Sequence, residues 1–219
     1  GLRARGLLAL AARYCEITLA DGGLPLRRRA ALTIEWARSL SEEATVTAPE
    51  QRDALWTKAL AATEDYVQRW PDDPRGLLAQ FQTGLTLLTR GELTRLEAEL
   101  LPGAADRLKE ARDALRAALT RFAALQERIE KRLQSPARPS DAATADALSP
   151  GEMGRLLNEV HYQQARALRN QAQCYPPNSP DRFNALTLAV KQLAPLANLD
   201  ASDPLRLPSR LDLIVCYRL

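Results

Sequence analysis

The chain has 219 residues, of which 46% are hydrophobic and 26% charged, enough apolar material for a core of ordinary size. Its 30 basic and 27 acidic residues are interspersed, and no basic block lies beside base-stacking aromatics, so nucleic acid is not the expected partner. No apolar run approaches the roughly 20 residues of a membrane span, and we expect a soluble protein, cytoplasmic or bacterial periplasmic.

Helical periodicity dominates the chain, and the alternation typical of strands is almost absent. Apolar residues recur at steps of three and four, which predicts an all-α fold. The predicted helices cover residues 2–20, 26–44, 50–70, 74–91, 92–101, 104–134, 151–174, 180–198 and 204–219.

Capping and breaking residues mark most of the predicted helix ends. Asp73 before Pro74 predicts an N-cap followed by a first helical residue. Thr47 with Glu50, and Ser149 with Glu152, have the spacing of capping boxes. Gly91 is interpreted as the end of a helix.

The longest predicted helix, 104–134, carries a coiled-coil-like seam. The seam consists of Leu108, Ala111, Leu115, Ala118, Phe122, Leu125 and Ile129. Such a seam packs on a neighbouring helix of its own chain, or else forms a dimer or partner contact. Residues 135–149 lack a stripe and are rich in Pro, Ser, Ala and Asp, which predicts a flexible linker inserted in the array.

Residues 54–92 are organised as a helix, a proline-bracketed turn and a second helix running back. Small, aromatic and helix-ending residues occupy regular places in this unit: Ala59, Tyr66, Pro71, Gly84 and Gly91. In this pattern the stretch resembles a tetratricopeptide repeat. The resemblance implies antiparallel helix pairs stacked as a right-handed α-α superhelix, whose curvature creates a concave groove. The long helix 104–134 predicts one long helical hairpin within this arrangement.

The unit recurs with irregular spacing. Ile34, Phe81, Tyr162 and Leu213 align at steps of 47, 81 and 51 residues, longer than the family period of about 34. We expect one repeat domain over 1–219, a part of a longer array. Its units are 2–24 (partial), 25–73, 74–134, 150–203 and 204–219 (partial).

In proteins of this family the first helices line the groove and bind a partner segment. Mapped by register, the resemblance implies groove positions at Ile34, Arg38, Phe81, Leu85, Tyr162, Arg166, Arg169 and Asn170. The third copy brings two arginines and an asparagine together, which favours an acidic peptide as ligand. The Lys and Asn set with which some relatives clamp a peptide carboxylate is absent.

Motifs for catalysis are not found. His161 is the one histidine and has no nucleophile or second ligand at helical spacing. Cys15, Cys174 and Cys216 lack metal-ligand spacing and are interpreted as buried, reduced thiols. No phosphate-binding glycine loop or metalloprotease motif is present, so no cofactor or metal is expected.

Three functions remain open from the sequence. The first is a non-catalytic scaffold that binds a peptide or protein segment, and it is the interpretation we favour. The second is a helical accessory domain of a larger enzyme, for example one acting on cell-wall polymers. The third is RNA binding by helical repeats, which the irregular repeat steps argue against.

Overall fold

A computed structural model describes residues 1–100, 105–135 and 147–219 of the chain. These residues form eight α-helices and no strand, which confirms the all-α prediction for the described part. The helices are α1 (Leu8–Leu19), α2 (Leu26–Val46), α3 (Pro49–Arg69), α4 (Gly76–Leu100), α5 (Ala105–Gln134), α6 (Pro150–Gln173), α7 (Pro180–Leu196) and α8 (Arg206–Arg218).

The chain divides into two compact units, each with its own packing. Of the described residues, the first unit comprises 1–86 and 147–148, and the second comprises 87–100, 105–135 and 149–219. The boundary falls within α4. That these units belong to one repeat domain stays a prediction.

In the first unit, α2 packs between α1 and α3. Alanines occupy the points of closest approach: Ala37 and Ala59 are fully buried in one cluster with Ala12 and Leu40. A methyl side chain lets helix backbones approach closely, and Ala also has the highest helix propensity. A hydrogen bond between two buried hydroxyl groups joins α3 to α4: the Oγ1 atoms of Thr63 and Thr83 lie 2.8 Å apart.

The turn between α3 and α4 is fixed by a buried tyrosine. The Tyr66 hydroxyl donates to the Asp73 carboxylate, and burial together with that carboxylate raises the pKa of Tyr66. The other Asp73 oxygen accepts from the Arg75 amide. Asp73 was expected to cap the next helix directly, but α4 begins only at Gly76. Its carboxylate instead holds the turn.

In the second unit, α6 packs against α5, α7 and α8. The predicted seam of α5 is its buried face, from Ala111 to Ile129, and it packs on α6 of the same chain. The opposite face of α6 joins Ala165 to Ala189, Leu193 and Cys216. The intramolecular interpretation of the seam is therefore confirmed.

Gly91 does not end a helix, contrary to the prediction. Helix α4 continues through it to Leu100, so the separately predicted helix 92–101 is the same element. A Cβ on Gly91 would lie 2.6 Å from Cγ of Leu115 and 3.2 Å from its backbone nitrogen. The glycine is thus required at a point where α4 approaches α5 closely. The predicted break at Pro102-Gly103 and most of the predicted linker lie outside the described residues.

Of the two predicted capping boxes, one forms in the structure and the other does not. At α6 the Ser149 hydroxyl accepts from the Glu152 amide and the Glu152 carboxylate accepts from the Ser149 amide, as predicted. At α3 the predicted box is absent, because the N-cap is Ala48 and the Thr47 hydroxyl donates back to the Glu43 carbonyl. α7 likewise has its predicted cap at Ser179 and ends one residue after Pro195.

Replacing Ser149 with alanine is therefore expected to lower the free energy of unfolding by about 1 kcal/mol. The substitution removes the acceptor for an otherwise unpaired helix amide. Thr47→Ala is the matched control and should change stability by less than about 0.5 kcal/mol. Urea denaturation followed by circular dichroism measures both. Equal losses in the two variants would contradict the assignment of the caps.

Candidate functional site

The eight groove positions implied by the resemblance divide equally between the two units. In the first unit, Ile34 and Arg38 lie on α2, while Phe81 and Leu85 lie on α4; all four are half-buried. Ile34 packs against the cluster of Ala30, Tyr66 and Ala79, so part of its surface serves the core. Whether these four residues meet a ligand stays a prediction.

In the second unit, the four positions lie on α6 and are engaged within the chain. Arg166 donates two hydrogen bonds to Glu92, at 2.9 and 3.0 Å. Arg169 pairs with Asp212. Asn170 is only 2% exposed. A ligand carboxylate at Arg166 or Arg169 would have to displace an acid that the protein already supplies.

Glu92 is the centre of a polar network that joins α4 to α6. Besides Arg166, it accepts from the Asn170 side-chain amide at 2.8 Å. The oxygen of the same amide accepts from Nε of Arg95 at 2.9 Å. Arg95 is itself buried and also pairs with Glu99. Each charged member thus has a partner, which is the condition for burying ions without a large loss of stability.

A second polar contact joins α6 to α8. Burial, reinforced by the nearby Asp212 carboxylate, raises the pKa of Tyr162 to about 12. Asp212 also pairs with Arg169, and its side chain is 15% exposed. The one acidic residue of α8 is consequently turned towards the interior of the unit.

The three cysteines are free and buried, as the sequence predicted. Burial raises the pKa of the Cys174 thiol to about 11 and raises those of Cys15 and Cys216 above the ordinary value. Because the thiolate is the reactive form, all three are poor nucleophiles at neutral pH.

These shifts predict that the second unit loses stability in alkali. Cys174 and Tyr162 hold their protons more tightly in the folded than in the unfolded chain. The folded state is therefore stabilised at any pH below their pKa values in the unfolded chain, and this stabilisation is lost as the pH rises through their pKa values in the folded chain. The window runs from pH 9.0, the ordinary thiol value, to about 12. Urea midpoints measured at pH 8 and pH 10.5 should fall at the higher pH. A Tyr162→Phe chain should show a smaller fall, and an unchanged midpoint in the wild type would contradict the prediction.

His161 lies half-buried on α6 with its Nε2 atom buried and without a hydrogen-bond partner. Burial lowers its pKa, against a smaller opposing effect of Glu130. The imidazole is therefore neutral at pH 7. Across the described ranges, no three His, Cys, Asp or Glu side chains form a group able to hold a metal ion.

An open cleft of about 390 Å³ lies beside Trp70 in the first unit. It is lined by Leu26, Arg27, Arg69, Trp70, Pro71, Asp72, Asp73 and Pro74. Arg29 lies over the Trp70 ring and donates to the carbonyls of Leu19 and Asp21. It thereby satisfies carbonyl groups where α1 ends. The cleft carries charges of both signs, so it does not select one ligand class.

Two helices expose apolar stripes that are not among the predicted groove positions. On α1 and just before it, the stripe consists of Leu7, Leu10, Tyr14 and Ile17. On α8 it consists of Leu207, Leu211, Ile214 and Val215. Their spacing of three and four was visible in the sequence, but α8 has apolar residues on both sides, and only the fold decides which side is covered.

In the part of the chain that the structure describes, no helix is sufficiently long and apolar to cross a membrane. No protein-family model, no curated protein and no solved structure matches the chain.

Proposed function

We propose that the chain is a non-catalytic scaffold that binds a peptide or protein segment. In this proposal its helix pairs stack as a tetratricopeptide-like superhelix, with first helices facing a concave groove. The observation that carries the proposal is the pair of exposed apolar stripes on α1 and α8, where large apolar side chains line up along each helix. Aligned exposed apolar residues are typical of protein-interaction surfaces, whereas scattered ones are ordinary.

The polar networks of the second unit change which groove residues we propose as ligand contacts. Arg166, Arg169 and Asn170 stabilise the second unit through Glu92, Asp212 and Arg95. A groove ligand therefore depends first on the half-buried side chains Ile34, Arg38, Phe81 and Leu85. An acidic ligand at α6 would bind only by competing with Glu92 and Asp212.

The proposal is tested by capture followed by reconstitution. The whole chain serves as bait in a lysate of the source organism, and each captured protein is purified and titrated against the chain by calorimetry. A protein that binds directly with defined stoichiometry supports a scaffold. Retention that nuclease abolishes would favour RNA binding instead, and a catalytic domain encoded in the same reading frame would favour the accessory-domain function.

A double variant, Arg166→Ala with Arg169→Ala, separates the groove from other surfaces. If the partner binds in the groove at α6, its affinity should fall in this variant at matched folded fraction. Unchanged affinity would place the contact elsewhere on the chain. Failure to reconstitute any captured protein would contradict the scaffold function.

A further inference from the structure

The exposed side of α8 combines apolar and basic residues without an acid. Leu207, Leu211 and Ile214 are 66%, 55% and 49% exposed, and Arg218 continues the same line one turn further on. At 3.6 residues per turn, steps of four, three and four keep these four side chains on one side of the helix. Arg210 is also exposed, at the edge of that side. We call these five residues the α8 face.

The orientation of this face is fixed by what lies behind it. Ser209 and Cys216, on the opposite side of α8, are 0% and 5% exposed. Asp212, the one acid of the helix, pairs inward with Arg169. Nε of Arg210 donates to the Ala197 carbonyl at 2.9 Å, which anchors this guanidinium at the end of α7. The guanidinium of Arg210 is thus held in place, and the carboxylate of α8 is directed away from the α8 face.

The stripe on α1 is equally exposed, but the basic residues beside it are paired with an acid. Arg13 pairs with Glu16 at 3.0 Å, and Glu16 also accepts from Lys58 at 2.7 Å. The cations beside the α1 stripe therefore already have an acidic partner. Leu10 of α1 is 54% exposed, nearly the same as Leu211, so the two stripes offer matched positions for comparison.

We infer that the α8 face is a docking surface for an acidic amphipathic helix of a partner protein. An acidic partner matches the charge of this face, since its exposed ions are arginines that can form paired hydrogen bonds with carboxylates. The geometry selects a helix, because a straight row of side chains at steps of three and four presents ridges into which another helix packs. This inference rests on the proposed scaffold function and names the chemistry of its partner.

The test uses a phage-displayed library of helical peptides with randomised surface positions. The library is selected on the whole chain and counter-selected on a Leu211→Glu chain, whose exposed substitution leaves the core intact. We expect the enriched peptides to carry apolar residues at helical spacing, flanked by Asp and Glu. Enrichment of peptides without acidic residues would overturn the assignment of the partner.

The enriched peptide is then titrated against four purified chains by fluorescence anisotropy. Leu211→Glu should weaken binding by about tenfold or more, whereas Leu10→Glu should leave it unchanged. Arg210→Glu with Arg218→Glu should weaken binding similarly and reduce its salt dependence, whereas Arg5→Glu with Arg28→Glu, the same change in net charge, should not. Equal binding by a variant of α8 and its control would overturn the proposal.

Other outcomes of these experiments would overturn the inference about the α8 face, or the scaffold proposal as well. A wild-type dimer that Leu211→Glu converts to a monomer in sedimentation equilibrium would assign the α8 face to a second copy and overturn the inference. Peptides that bind but crosslink to α1 or α2 would remove the α8 site while leaving the scaffold proposal standing. Absence of binders from both the library and the lysate would refute both.

Discussion

Replacing Gly91 with valine is expected to destabilise the protein by about 3 kcal/mol, although glycine inside a helix is normally unfavourable. The added carbon would lie 2.6 Å from Cγ of Leu115 and 2.9 Å from Cδ2. Leu115 is fully buried, and its backbone nitrogen lies only 3.2 Å from the same point, so the clash is not relieved by a rotamer change alone. Either α4 and α5 separate or the seam of α5 repacks.

Gly154 provides the matched control for this prediction. It lies within α6, and a carbon added there would meet no atom within 4 Å. Gly154→Ala should therefore stabilise the protein by about 0.5–1 kcal/mol through helix propensity. Chemical denaturation of both variants and of Gly91→Ala gives the comparison. If Gly91→Ala stabilises the chain as Gly154→Ala does, the close approach of α4 and α5 is wrong.

Removing Glu92 is expected to cost about 2 kcal/mol, the second largest effect. Glu92→Ala leaves the Arg166 guanidinium and the Asn170 amide without their shared acceptor in a largely buried place. Arg166→Ala should cost less, about 1 kcal/mol, because Asn170 still donates to Glu92 and the Arg166 side chain is 32% exposed.

A double-mutant cycle isolates the pair from these other losses. We expect a coupling of about 1 kcal/mol between Glu92 and Arg166. The exposed pair of Arg116 and Asp113, 62% and 56% exposed, is the control and should couple by less than about 0.5 kcal/mol. Equal couplings would contradict a structural role for the network and would return Arg166 to the list of available ligand contacts.

The sequence predicted the helices well because their signals are local. Apolar steps, prolines and serine caps lie within a few residues of the ends that they define, as at Ser149 and Ser179. Gly91 was misinterpreted because a glycine in a helical pattern has two explanations: a helix end, or a close approach to another helix. Only the position of Leu115, far along the chain, distinguishes them.

The candidate site was harder to predict for the same reason. Arg166 and Glu92 are separated by 74 residues, and nothing near Arg166 in the sequence shows that its charge is already paired. On α8, apolar residues such as Leu213 and Leu211 occur on both sides of the helix. Packing against α6 and α7 covers Leu213 and leaves Leu211 exposed. Exposure of a face is a property of the fold, so the α8 face could not be recognised from periodicity.

The most direct test of the scaffold account is a methyl NMR titration of the isoleucine-labelled chain with the selected acidic peptide. The chain has four isoleucines, and each reports on one part of the molecule. Ile214 lies on the α8 face, Ile17 on the α1 stripe, Ile34 at a groove position and Ile129 in the core of α5. The account predicts a saturable shift of the Ile214 methyl, with the other three unchanged. A shift of Ile17 or Ile34 while Ile214 stays in place would contradict docking at α8, and no shift in any of the four would contradict binding altogether.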